Sequence, residues 1–141
     1  MLLLSIRHNL FIINYMIKCP FCLKNKILKG RILAQNEYCY FVESIDPILK
    51  YGGMIIPNRH VATPFELTTE EWIATKELMN EVKNIIDQQN PQGYNMGWNV
   101  EKVGGQEVPH AHLHVIARFE DEPLSGKGIR YFLKQNNNKR H

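Results

Sequence analysis

The sequence predicts an α+β domain in which an antiparallel sheet of about five short strands packs against one long helix. Three observations carry that expectation. One amphipathic segment opens with a strong helix-capping signal at Thr68. Short apolar runs bounded by turn residues lie on both sides of it. Most of those runs follow one another in hairpin-like succession.

Cys19-Pro20-Phe21-Cys22 marks a turn within residues 18–24. Residues 31–36 and 38–43 read as two apolar strands, joined by the hairpin-like Gln35-Asn36-Glu37. Asp46-Pro47 is a turn, and residues 52–57 form a third strand closed by Pro57. For the helix, Thr68 is the N-cap, Glu71 closes a capping box, and Leu67 is placed to staple onto Trp72. Ala74, Leu78, Val82 and Ile85 form its buried stripe, flanked by Trp72, Met79 and Ile86. Pro91 ends the helix. Residues 94–100 read as a strand, Gly104-Gly105 as a turn, and residues 108–119 as the last strand. A loop over 121–128 leads to a final strand or helical turn at 129–133.

A chain of 141 residues has room for one domain, placed here at residues 16–133. Residues 134–141 read as a flexible polar tail, because nothing apolar follows Leu133. Residues 1–15 are apolar but interrupted by Arg7, His8 and Asn9. They are too short to span a bilayer and fit a signal peptide poorly. They read as an N-terminal extension without functional weight, with Met16 as an alternative start. The net charge of +3 includes no basic block, which argues against a nucleic-acid partner, and no membrane partner is expected. Three cysteines, an odd number, favour a reducing compartment and a cytoplasmic protein. No dinucleotide fingerprint or Walker loop is present, and no organic cofactor is expected.

The chemistry concentrates in His110-Ala111-His112-Leu113-His114, which holds half of the six histidines. On a strand these three imidazoles share one face, and Ala111, Leu113 and Val115 share the other. A solvated polar face explains such a row poorly, since each buried ring needs partners for two nitrogens. Two site chemistries need it. One is a metal site; the other is covalent catalysis, in which a neutral imidazole attacks an electrophile such as phosphorus. The middle ring, His112, is the best-placed nucleophile. Gly104, Gly105 and Gln106 supply flexible backbone N–H groups and an amide suited to phosphate oxygens or a leaving group. Asn99, four residues from Asn95 on one strand face, is a further candidate for phosphate or ribose. Arg118 and Lys127 are weaker candidates for a distal phosphate, and Trp98 is expected to face the core or a dimer seam.

Together with Tyr94-Asn-Met-Gly-Trp-Asn99, Gly105-Gln106-x-Val108 and Gly53-Met-Ile-Ile-Pro57-x-x-His60, this run resembles the signature of the histidine-triad (HIT) nucleotide hydrolases and transferases. The resemblance covers about residues 18–120. It implies a HIT-like five-stranded sheet with one long and one short helix, and a homodimer that continues the sheet. It also implies a purine nucleotide conjugate as substrate. His112 is then the nucleophile on the α-phosphorus, and water releases a nucleoside monophosphate from the nucleotidyl-histidine. His114 and Asn99 match residues that contact phosphate and sugar, Gln106 matches the residue near the leaving group, and Phe41 and Ile45 are expected walls for base or ribose. Two positions depart from the pattern. Gly53 stands where many members carry histidine, and Glu107 where many carry a hydroxyl, which changes the setting of the leaving group.

Cys19 and Cys22 have the spacing of a zinc half-site. Resemblance to zinc-containing bacterial members implies a structural Cys₂His₂ site completed by His60 and His110. Cys39 is expected to be a small buried hydrophobe. A non-catalytic nucleotide-binding regulator and a transferase to an acceptor other than water are the competing functions. An intact His112 favours an enzyme.

Overall fold

The computed structural model describes residues 18–140; the expected extension at residues 1–15 lies outside them. One antiparallel sheet is built from β1 (Ile32–Gln35), β2 (Cys39–Glu43), β3 (Gly53–Pro57), β4 (Gly93–Trp98) and β5 (Leu113–Arg118), in the order β1-β2-β3-β5-β4. The long helix α1 spans Thr69–Asp87, and Ile129–Leu133 forms the short helix α2 rather than a strand. The α+β class with a five-stranded antiparallel sheet is therefore what the chain adopts. Among the described residues no helix is long and apolar enough to cross a membrane.

Local chemistry sets the frame. In the β1–β2 hairpin the Asn36 carboxamide oxygen accepts from the backbone N–H groups of Tyr38 (3.0 Å) and Cys39 (2.9 Å), while its nitrogen donates to the Ala74 carbonyl of α1 (2.9 Å). One side chain thus shapes the turn and ties it to the helix. Cys39 is buried, as expected of a small apolar side chain. Leu113, Val115 and Ala117 of β5 pack with Ala74, Leu78, Val82 and Ile86 of α1. Full burial of Leu78 and Val82 contributes about 2 kcal/mol each. The alternate residues of β5, His114 among them, lie on the opposite face. Because β5 sits between β3 and β4, His114 has Met54 on one side and Gly97 on the other.

The capping box at Thr68 forms as expected: its hydroxyl accepts from the Glu71 N–H (3.2 Å), and the Glu71 carboxylate accepts from the Thr68 N–H (2.8 Å). Arg59 adds two further bonds to Glu71, both 2.8 Å. Arg59 first, and the Thr68 N–H in addition, hold the buried Glu71 carboxyl below the ordinary glutamate value. A depressed folded-state pKa stabilises the fold above the unfolded value near 4.5 and is lost as pH falls through the lower folded value. The Glu71→Gln variant should therefore be about 1–2 kcal/mol less stable at pH 7 by urea unfolding. The difference from wild type should shrink once the pH is well below 4.5.

Two expectations are corrected. Trp72 does not join the buried face of α1: it is 45% exposed and stands edge-on to Trp98, ring centroids 5.8 Å apart. Leu67 packs instead with Val61 and Ala111. The last strand starts at Leu113, not near 108. Pro109 has no N–H to give a ladder, and the Ala111 N–H donates to the Val61 carbonyl (2.7 Å), outside the sheet.

Candidate active site

His110 and His112 lie in the extended lead-in to β5, and His114 lies in the strand. The His112 ring Nδ1 is 2.8 Å from the backbone carbonyl of His110. A carbonyl only accepts, so Nδ1 carries the proton and the neutral ring keeps its lone pair on Nε2. Burial pushes the His112 pKa below the ordinary imidazole value, favouring that neutral form. The ring is 7% exposed, and Nε2 takes part in no hydrogen bond among the described residues. His114 lies alongside, ring centroids 4.9 Å apart, and its buried Nε2 is also without a partner among the described residues. Its pKa is lowered by burial and then by His112. The arrangement presents a neutral imidazole with one free nitrogen next to a second imidazole able to hydrogen-bond whatever that nitrogen attacks.

His110 faces a different group. It lies with Cys19, Cys22 and His60 in a cluster whose ligating atoms are all within 4.8 Å of one another. The Cys19 Sγ–His110 Nδ1, Cys22 Sγ–His60 Nδ1 and Cys22 Sγ–His110 Nδ1 separations are 3.4, 3.2 and 3.8 Å. Tetrahedral zinc with ordinary Zn–S and Zn–N lengths places sulfur and nitrogen about 3.6 Å apart. The set fits. The other His110 nitrogen, Nε2, is 2.8 Å from the Pro57 carbonyl, which puts the proton on Nε2 and leaves Nδ1 free for a metal. The thiols form no disulfide; burial, then Cys19, pushes the Cys22 thiol up to about 11. A divalent cation in the cluster would reverse that preference and hold the thiolate.

The loop before the histidines is braced from within. Gln106 is buried, accepts from the Glu101 N–H (2.8 Å), and donates to the carbonyls of Ala62 (2.7 Å) and Val108 (3.1 Å). Its amide holds the loop; the expected donation to a leaving group requires release of one of these bonds. Gly105 has φ of +90°, a left-handed conformation that disfavours any side chain, and Asn99 lies next to it. Asn99 and Glu107 are both exposed. Glu107 is near enough to His112 for its charge to favour the protonated ring, a smaller effect than burial.

A cleft of about 400 Å³ is lined by His114, Met54, Ile45 and Leu49 together with the polar Arg31, Ser44 and Asp46. Ile45 lines this cleft and Phe41 does not: Phe41 is 1% exposed and packs in the helix-side core, on the opposite sheet face from His114. There it covers Gly53, where an added Cβ would lie 2.1 Å from the Val42 carbonyl oxygen and 2.7 Å from the Phe41 ring. Gly53→Ala is accordingly expected to destabilise the domain by about 1–3 kcal/mol in chemical unfolding. This close packing leaves no room for a larger side chain at position 53. Arg118 is bound by Asn95, Glu122 and the carbonyls of Leu124 and Lys127, so it braces the 119–128 loop. Lys127 lies over the Tyr131 ring, 4.8 Å from its centroid.

Sequence reasoning missed two residues. Phe21 stands edge-on to His112, centroids 5.0 Å apart, and is held by the Tyr40 hydroxyl, which donates to its carbonyl (2.6 Å). Its place inside the Cys-x-x-Cys turn was the available signal. Arg31 carried none.

Known proteins resemble this chain in sequence and in fold. An adenosine 5'-monophosphoramidase of Schizosaccharomyces pombe is 31% identical over 114 residues, covering 78% of this chain and 81% of that protein. An uncharacterized HIT-like protein of Methanocaldococcus jannaschii is 29% identical over 108 residues, with 74% and 81% covered. The crystal structure of a HIT family protein from Bacillus anthracis superposes with a TM-score of 0.63 at 28% identity, covering 73% of this chain and 77% of that one. A HIT family member from Bacillus subtilis gives 0.64 at 26%, with 73% and 74% covered. The HIT domain pattern matches residues 25–121, most of the sequence, and the chain belongs to the HIT family.

Proposed function

We propose that the protein is a nucleotide hydrolase that cleaves at the α-phosphorus of nucleoside phosphoramidates or dinucleoside polyphosphates. The observation that carries this reading is His112: a buried neutral ring, Nδ1 donating to the His110 carbonyl and Nε2 unengaged, beside the His114 cleft. In the first step the Nε2 lone pair forms a bond to phosphorus while the bond to the leaving amine or phosphate breaks, and the leaving group takes up a proton. Water then attacks the nucleotidyl-histidine, gives up a proton, and releases a nucleoside monophosphate with His112 restored. His114 donates to a non-bridging oxygen, where charge builds in the transition state. Asn99 is suited to the phosphate and sugar, Glu107 to the leaving group, and Ile45 to the nucleoside, whereas the Gly105 N–H is engaged by the Lys102 carbonyl (3.1 Å). The family membership and the phosphoramidase activity named for the yeast relative support the same reaction class.

The Cys19, Cys22, His60 and His110 cluster is proposed to hold a structural zinc, whose role would be to lock the Cys-x-x-Cys turn to the segment bearing the nucleophile. The chain is proposed to act as a cytoplasmic homodimer; β4 at the sheet edge, with its exposed Met96, suits pairing of two copies. Hydrolysis is tested by incubating the protein with nucleoside 5'-phosphoramidates and dinucleoside polyphosphates and identifying products. Release of a nucleoside monophosphate is expected. No turnover across the panel removes the hydrolase reading.

A further inference from the structure

Arg31 precedes β1, at the far side of the sheet from β5. Its backbone carbonyl accepts from the Glu43 N–H (3.2 Å), and its Nη2 donates to the Glu43 carbonyl (2.5 Å), which anchors the guanidinium. Its Nε is buried and has no partner among the described residues. Arg31 lines the same cleft as His114. Between β1 and β5 lie β2 and β3, so three strand spacings, about 14 Å, separate the two ends. Two residues that line the cleft, Arg31 and His114, thus each hold a buried nitrogen without a partner among the described residues, and Ser44, Ile45, Asp46, Leu49 and Met54 line it with them. A ligand that spans the cleft from β5 to β1 meets the His114 imidazole and the Arg31 guanidinium as well as the apolar Ile45, Leu49 and Met54.

With the α-phosphate at His112 and His114, the base of a nucleotide falls toward Arg31. A guanidinium offers only donors, in a planar fork. Guanine presents two adjacent acceptors, O6 and N7, on one edge, whereas adenine sets an amino donor beside N7. That donor would meet the guanidinium N–H groups head on. We propose that Arg31 reads the base and makes the site selective for 6-oxopurine (guanine-type) conjugates over 6-aminopurine ones. The inference rests on the nucleotide reading above and adds a base preference to it.

The test compares guanosine and adenosine 5'-phosphoramidates as substrates for wild type, Arg31→Met and Arg31→Lys, and measures equilibrium binding of GMP and AMP to the same proteins. Wild type is expected to favour guanosine in kcat/KM on the order of 10- to 100-fold. Arg31→Met should bring that ratio close to one by losing guanosine activity while adenosine activity holds. Arg31→Lys should recover only part, because a point charge lacks the fork. A wild-type ratio of one or less overturns the proposal. So does a variant that loses both substrates equally, which would make Arg31 a brace for Glu43, or one impaired only on polyphosphates, which would make it a phosphate ligand. Tighter binding of GMP than AMP, lost in Arg31→Met, without cleavage of any substrate would sustain the base contact and defeat the hydrolase reading alone. Equal binding of both nucleotides overturns the contact whatever the turnover.

Discussion

His112→Asn is expected to lower turnover of a nucleoside 5'-phosphoramidate by roughly 10³- to 10⁶-fold while nucleotide binding persists. Asparagine is smaller than histidine and keeps an N–H able to reach toward the His110 carbonyl. It has no basic nitrogen, because the amide lone pair is delocalised. The loss therefore isolates nucleophilicity from packing. Phe21, which stands against the ring, leaves a modest cavity in the variant, so a thermal melt should show a fold that is slightly less stable and otherwise intact. A variant that melts with wild-type cooperativity, binds GMP and cleaves at the wild-type rate would refute nucleophilic catalysis by this residue.

Cys22→Ser, or exhaustive chelation, is expected to lower the melting temperature by about 10 °C, corresponding to loss of about 3 kcal/mol or more of metal-linked stability. The effect is large because the four ligands come from distant stretches: the Cys19–Cys22 turn, the segment after β3, and the lead-in to β5. The same cluster sets the position of His110, and the His110 carbonyl orients His112. Activity should therefore fall with the metal although none of the four ligands is the nucleophile. Metal analysis should find about one zinc per wild-type chain and almost none in the variant. Equal melting temperatures with and without chelator would remove the stabilising role.

Much of this was legible in the sequence for identifiable reasons. The start of α1 is written locally, in Thr68 and Glu71, and the structure realises both halves of the box. The alternation of β5 is clear because polar and apolar residues alternate there. In β2 it is not: Cys39, Tyr40, Phe41 and Val42 are all buried, so nothing in the pattern says which of them faces the helix. An apolar side chain such as Phe41 suits the core and a cleft wall equally in the sequence, and only the fold separates the two. The late start of β5 depends on a hydrogen bond from Ala111 to Val61, fifty residues away in sequence, and no local rule supplies it. Gln106 illustrates a different limit. Its residue type suited a phosphate, but three backbone partners brought together by the fold engage its amide instead. Arg31 had no signal at all, since an arginine at the start of an edge strand is ordinary until a buried Nε is found lining a cleft.

Bond formation between Nε2 of His112 and phosphorus is the step on which the proposed reaction depends. It is tested most directly by mixing the protein with excess nucleoside 5'-phosphoramidate, quenching within a single turnover in alkali, and sequencing the peptides by mass spectrometry. A nucleotidyl group on the peptide that carries His112, sited on that residue and absent from His112→Asn, is the predicted result. Rapid release of nucleoside monophosphate with no adduct at any time point, or with the adduct on another residue, would contradict it.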